Sequence, residues 1–171
     1  RQVRTEGLSN KIEVRLADGL AAVKEEDYVN TVTICGMGGP LIVSILEKNP
    51  ESLKHVTRLI LQPNIHAKVI REWAMKNGWA IHEETILEED RKIYEILVLQ
   101  RGEMKLTEAE TLLGKQLLNN KSDTFLAKWA RELENWERIL KSIENVEQTE
   151  DIVKKKADLQ HLISMVKEAI A

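Results

Sequence analysis

The segment Thr31-Val-Thr-Ile-Cys-Gly-Met-Gly-Gly-Pro-Leu-Ile42 constrains this chain more than any other. A β-branched run stops at a cluster of glycines, and an apolar run with helical spacing starts at once. Thr31 to Cys35 read as a buried parallel strand. Pro40 suits a first helical turn, where its missing N–H is no loss. Leu41, Ile42, Ile45 and Leu46 then fall on one helix face. A strand that enters a helix through so short a turn belongs to an α/β unit. Its glycines leave peptide N–H groups bare at the sheet edge where such folds bind ligands.

The unit repeats downstream. Arg58 to Gln62 read as a strand, Pro63-Asn64 breaks it, and Asn64 is placed to cap a helix from Ile65 to Lys76. Asn77-Gly78 ends that helix. Trp79–Glu88 and Lys92–Gln100 read as long strands joined by Glu89-Asp90-Arg91, which predicts an antiparallel hairpin. Upstream, Ile12-Glu-Val-Arg-Leu16 alternates as a strand does. Asp18-Gly19 ends it, and Leu20 to Glu26 predict a helical turn. Arg1 to Leu8 read as the last turn of a helix capped by Gly7, so the chain is expected to be a fragment that opens within an element. Together these elements predict an α/β sheet with an antiparallel edge.

After Gly102 the strand signals vanish. Leu126, Trp129, Leu133, Trp136, Leu140 and Ile143 form a heptad seam, and Ile152, Leu159, Ile163, Val166 and Ile170 form a second. Ser122 or Asp123 is placed to cap the first helix and Thr149 the second, across a polar connection at 144–151. The expected result is an antiparallel helical hairpin, with both tryptophans serving packing. The predicted division is residues 1–103 for the α/β part and 104–171 for a helical appendage.

A length of 171 residues accommodates one domain with a small appendage. A net charge of −3 supplies no global attraction to nucleic acid, although local basic patches remain available. The single cysteine rules out an internal disulfide framework and fits a reducing cytoplasm. No stretch has the length of a membrane span or the pattern of a signal peptide. His55, His66, His82 and His161 are scattered, with no second ligand at metal spacing, so no metal is expected.

Gly36-Met-Gly-Gly39 lacks the spacing of a dinucleotide fingerprint and the Lys-Ser/Thr of a P-loop. Alone it is equally a tight structural turn or one wall of a site. Its company sharpens it. Asp18-Gly19, Gly36–Gly39 and Gln62-Pro63-Asn64 each end a predicted strand, and in a parallel sheet all lie on one edge. Cys35 reads as a small core residue or a thiol reachable from that edge. His66 reads as a surface helix position that could also line the site. Glu83, Glu84, Glu88, Glu89 and Asp90 read as a solvated hairpin. Lys68, Arg71, Lys76 and Lys154 to Lys156 read as solvated helix faces able to touch phosphate.

Asp18-Gly-Leu20, Val32-Thr-Ile-Cys-Gly-Met-Gly-Gly39, Arg58-Leu-Ile-Leu-Gln-Pro-Asn-Ile-His66, Ile86-Leu-Glu-Glu-Asp90 and Ile93-Tyr-Glu-Ile-Leu-Val98 occur together in this order. The set resembles the bacterial TrmK-type tRNA methyltransferases, which use S-adenosyl-L-methionine to methylate N1 of adenine 22 in tRNA. The resemblance implies a Rossmann-like class I methyltransferase sheet with an antiparallel last strand, followed by a coiled-coil appendage. It also implies that the first strand, its acidic glycine loop and a candidate catalytic acid precede Arg1. Asp18, Gly19 and Leu20 would sit beside the cofactor adenine. Gly36, Met37 and Gly38 would border the cofactor near its methyl group, and Gly39, Gln62, Pro63 and Asn64 would border the target base. Arg91 departs from the glycine expected in the hairpin turn. No Asn/Asp-Pro-Pro-aromatic motif follows the fourth strand of that fold, so the pattern of exocyclic amine methylation is not met.

The resemblance thus implies tRNA as partner and S-adenosyl-L-methionine as cofactor; the hydropathy pattern implies no membrane, and the oligomeric state stays open, with a monomer favoured. Two other readings stay open from the residues: a non-enzymatic α/β scaffold with a helical interaction arm, and a methyltransferase acting on a small molecule.

Overall fold

The computed structural model describes residues 2–144, 146 and 149–171. Arg1 lies outside the described residues, as do Asn145, Glu147 and Gln148 of the predicted polar connection. Strands β1 (Thr31–Met37), β2 (Arg58–Pro63), β3 (Trp79–Glu89) and β4 (Lys92–Arg101) form one sheet in the order β1-β2-β4-β3. β1 and β2 are parallel, and β4 is antiparallel to both its neighbours. The last strand, β4, is thus antiparallel as expected, and it lies between β2 and β3, so the hairpin forms that end of the sheet. The pairings Leu59↔Leu99 and Leu61↔Leu97 account for this, since they bury all four leucines in one core. The β3–β4 turn is Asp90-Arg91, with φ of 48° and 62°. Both central residues are left-handed, as a two-residue hairpin requires, and Arg91 occupies that conformation without being glycine.

Helices α1 (Gln2–Thr5), α2 (Gly39–Lys48) and α3 (Ala67–Lys76) come next. Ile42 and Leu46 of α2, and Ile70 and Trp73 of α3, share a core with Val32, Ile34, Leu59, Leu61, Leu97 and Leu99. Thr31, Thr33 and Cys35 point away from it and are exposed. β1 is thus not the fully buried strand expected, and Cys35 is not a core residue. Threonines alternate with Val32 and Ile34, so the β-branched run carries one apolar face rather than two.

Residues 12–17 form no strand, and Ile12, Val14 and Leu16 are exposed at 44%, 75% and 106%. Alternation creates a strand only where a neighbour accepts its backbone hydrogen bonds, and none pairs with this segment among the described residues. Short 3-10 turns at Gly19–Ala22 and Glu25–Asp27 occupy the predicted helical stretch. Arg15 ties them together by donating to Asp27 Oδ1 at 2.7 Å and to the Ala22 carbonyl at 2.8 Å. Hydrogen bonds from Arg15 and from the Lys24 N–H hold the Asp27 carboxyl well below its ordinary range.

α3 opens at Ala67, with His66 as its left-handed N-cap at φ 59°, so Asn64 is not the cap. The Asn64 N–H donates instead to the Met37 carbonyl at 2.8 Å. That bond draws the turn towards β1 and delays the helix.

The chain continues through α4 (Glu108–Leu113), α5 (Lys115–Asn120), α6 (Asp123–Ile143) and α7 (Glu150–Ile170). The two short helices, α4 and α5, have no heptad signal. Ser122 and Thr149 cap α6 and α7 as expected, accepting from the Phe125 and Ile152 N–H groups at 3.3 Å each. Both long helices have 21 residues, roughly 30 Å. They pack in one core, and a connection of about six residues spans at most about 20 Å, so they are antiparallel. Phe125 replaces Leu126 in this core, being 0% exposed against 37%. α6 faces α7 on one side and β3 with the short helices on another, so its buried stripe is wider than a single seam.

A buried ionic network ties the helical segment to the sheet. Arg71 of α3 donates to Glu84 of β3 at 2.7 Å and to Glu95 of β4 at 2.8 Å. It also donates to the Leu112 carbonyl at 3.2 Å, and Lys128 of α6 pairs with Glu95. The side chains of Arg71 and Glu84 are fully buried, against the reading of both as solvated. Burial alone would drive Arg71 towards deprotonation, but Glu95 and Glu84 outweigh it and raise its pKa. Burial likewise favours the neutral form of Glu95, but Arg71 and Lys128 hold its carboxyl below the ordinary value. Gly114 makes room for this cluster, since a Cβ there would lie 2.6 Å from Arg71 Nη2.

Candidate functional site

The glycine turn after β1 and the Pro-Asn turn after β2 are bonded into one unit. Gln62 Oε1 accepts from the Gly36 N–H at 2.8 Å. Gln62 Nε2 donates to Asn64 Oδ1 at 3.2 Å. The Asn64 N–H donates to the Met37 carbonyl at 2.8 Å, and the Gly39 N–H to the Ile65 carbonyl at 2.9 Å. One glutamine side chain thus sets the spacing of both turns. Parallel pairing of β1 with β2 makes this possible, because it brings Cys35 opposite Gln62 and Met37 opposite Pro63.

Gly36 has φ 76° and is exposed, and a Cβ there would meet nothing within 4 Å. Together with exposed Met37 and half-buried Gly38 it presents backbone to open space. A cofactor can lie against such a surface, so these residues fit that role. Gly39 behaves differently. A Cβ there would lie 2.2 Å from the His66 carbonyl oxygen, and its N–H is already used. Gly39 is buried and joins the two turns. Pro63 is buried beside it, while Gln62 and Asn64 reach the surface.

Asp18, Gly19 and Leu20 are not on this edge. Asp18 pairs with Lys48, the last residue of α2, and Ser52 donates to the Leu20 carbonyl at 3.0 Å. Gly39 begins α2, so a helix of ten residues, about 13 Å of rise, separates the two positions. Among the described residues, the predicted strand before Asp18 does not enter the sheet.

The sequence offered no signal for the groove that adjoins the site. It encloses roughly 570 Å³ between the Pro63–Val69 segment and the α6–α7 hairpin. Ile93 and Glu95 of β4 and Lys128, Trp129, Arg131 and Trp136 of α6 also line it. The volume is that of a small-molecule or nucleotide site. Helical spacing had marked Trp129 and Trp136 as packing residues, but nothing local shows that their helix crosses the mouth of a sheet turn.

A parallel α/β unit with a last strand inserted antiparallel, and an open glycine turn at its carboxyl edge, defines a Rossmann-like methyltransferase sheet. Residues 1–168 match the family described as tRNA (adenine(22)-N(1))-methyltransferase. The chain belongs to that family. It is 41% identical to the tRNA (adenine(22)-N(1))-methyltransferase of Bacillus subtilis, over 99% of this chain and 74% of the relative. Its structure matches the crystal structure of the B. subtilis m1A22 tRNA methyltransferase TrmK with a TM-score of 0.91 at 40% identity, covering 100% of this chain and 75% of that one. It also matches a Streptococcus pneumoniae putative tRNA (m1A22) methyltransferase in complex with S-adenosyl-L-methionine, with a TM-score of 0.89 at 40% identity over 99% and 73% of the two chains. Among the described residues no helix is long and apolar enough to cross a membrane, and no cluster of metal-ligating side chains occurs.

Proposed function

We propose that the protein methylates N1 of adenine 22 in cytoplasmic tRNA, with Gly36, Met37 and Gly38 bordering the cofactor and Gln62 and Asn64 bordering the target base. Family membership makes it an S-adenosyl-L-methionine-dependent tRNA (adenine-N1) methyltransferase. The observation that carries the residue assignment is the Gln62 side chain, which bridges the Gly36 N–H and Asn64. It joins an open backbone surface to a polar turn, as a reaction between two bound molecules requires.

When bound, S-adenosyl-L-methionine supplies an electrophilic methyl group. The ring nitrogen N1 carries its own lone pair, so the residues here need no strong base; they position the two molecules and favour developing positive charge. The Asn64 and Gln62 side-chain oxygens and the Met37 carbonyl are partial negative charges suited to that. N1 is occupied in a base pair, so the adenine must leave its stack to reach the turn. Residues 1–103 supply the methyltransferase surface, and 104–171 supply a helical appendage fixed to it that bears on the tRNA. Asp18, Gly19 and Leu20, implied beside the cofactor adenine, lie here against the C-terminal half of α2, with Asp18 paired to Lys48 and Gly19 beside Ile45.

The test is transfer of radiolabelled methyl from S-adenosyl-L-methionine to unmodified tRNA by the full-length protein. Replacement of adenine 22 by guanine should abolish it. Transfer that persists on the substituted tRNA would overturn the assignment of the target base.

A further inference from the structure

We infer that the groove between the Pro63–Val69 segment and the α6–α7 hairpin holds an unpaired nucleotide of the tRNA next to the target adenine. Its base would stack on Trp136 and its phosphate would meet Lys68 and Arg131. The inference rests on tRNA being the substrate.

The groove is continuous with the candidate site. Asn64 lines it and is also bonded to Met37 and Gln62. A strand of RNA that delivers a base to that turn must therefore pass its neighbouring nucleotide across this opening. Trp136 lies half-buried on the groove wall, with its ring 6.1 Å from that of Trp129. A half-covered indole offers a face to a base while remaining anchored, as in proteins that bind single-stranded nucleic acid. Trp129 lines the same groove, and its buried indole N–H has no acceptor among the described residues.

The charges are arranged for a phosphate at the rim. Arg131 is 56% exposed and touches Glu88 at only 3.4 Å, and Lys68 is 38% exposed with Glu72 at 3.7 Å. Exposed pairs of this kind are weak and easily exchanged for a phosphate. Glu95 at the floor is compensated by Arg71 and Lys128, so it does not repel an anion as a free carboxylate would. Glu132 also lines the groove, beside Arg131 on α6. The network beneath also fixes the distance between the two walls.

The experiment measures the dissociation constant for unmodified tRNA over a series of salt concentrations, with the full-length protein and three variants. Trp136→Ala should weaken binding about 5- to 100-fold with an unchanged salt slope. Trp136→Phe keeps an aromatic face and should stay within about threefold of the original. Lys68→Ala with Arg131→Ala should lower the salt slope by about one to two. Calorimetric titration with S-adenosyl-L-methionine should give the same constant in all variants. If all three variants bind and methylate tRNA as the original does, the groove assignment is overturned and the methyltransferase reading stands. If the unaltered protein transfers no methyl to tRNA, the reading beneath it fails instead.

Discussion

Replacing Arg71 by methionine should be among the most damaging single changes in this chain. Arg71 and Lys128 balance Glu84 and Glu95, so the cluster is neutral as built. Methionine matches much of the arginine stem but removes the positive charge. Glu84, fully buried at its side chain, would then keep, among the described residues, its hydrogen bond from the Gln116 N–H at 3.0 Å. Glu95, 4% exposed, would keep only Lys128. Breaking a buried ion pair by removing one partner costs about 3–5 kcal/mol. At about 2–4 °C per kcal/mol for a domain of this size, the midpoint of thermal unfolding should fall by roughly 6–20 °C. The assay is urea and thermal unfolding at neutral pH, followed by circular dichroism. Adding Glu84→Gln to Arg71→Met removes the stranded charge and should recover about 1–3 kcal/mol. The deficit of Arg71→Met should also shrink as pH falls, because Glu95, held ionised by Arg71 in the unaltered protein, then takes up a proton. A loss below about 1 kcal/mol, or a double variant no better than the sum of the singles, would refute a charge-balanced network.

Three further outcomes follow from the same geometry. Glu95→Gln should destabilise the protein at neutral pH and lose that effect in acid, read as unfolding free energy against pH. The folded pKa of Glu95 lies below its ordinary value of 4.5, so its contribution is complete above that value and disappears as pH falls through the folded one. Gly39→Ala places a Cβ 2.2 Å from the His66 carbonyl, so the two turns must separate. Stability should drop by about 1–3 kcal/mol and methyl transfer should fall with it, whereas intact activity would show that the turns need no fixed spacing. Gln62→Ala frees an exposed Gly36 N–H to water, so stability should change by about 1 kcal/mol or less while methyl transfer falls at least tenfold. Equal modest losses in both measurements would make Gln62 a structural residue only.

The sequence by itself determined the local elements with strong periodicity or punctuation. The β1–glycine–α2 unit, the β3–β4 hairpin, the helix stop at Asn77-Gly78 and the caps at Ser122 and Thr149 all rest on contacts within a few residues. The family resemblance rested on the same kind of information, short motifs in a fixed order. Tertiary structure decided everything that depends on which neighbour an element finds. Ile12–Leu16 alternates as a strand should, yet lacks a partner among the described residues. The hairpin inserts its second strand beside β2 because Leu97 and Leu99 match Leu61 and Leu59 there. Arg71 and Glu84 look like surface charges until α3, β3 and α4 close around them. The candidate site divides in the same way. Gly36 and Gln62 could be named from their turns, but the bond between them spans 26 residues and exists only in the parallel sheet. The groove lies further still from local information, since its walls come from a turn near Asn64 and a helix near Trp136. Periodicity records that a side chain is buried or exposed; only packing decides what it faces.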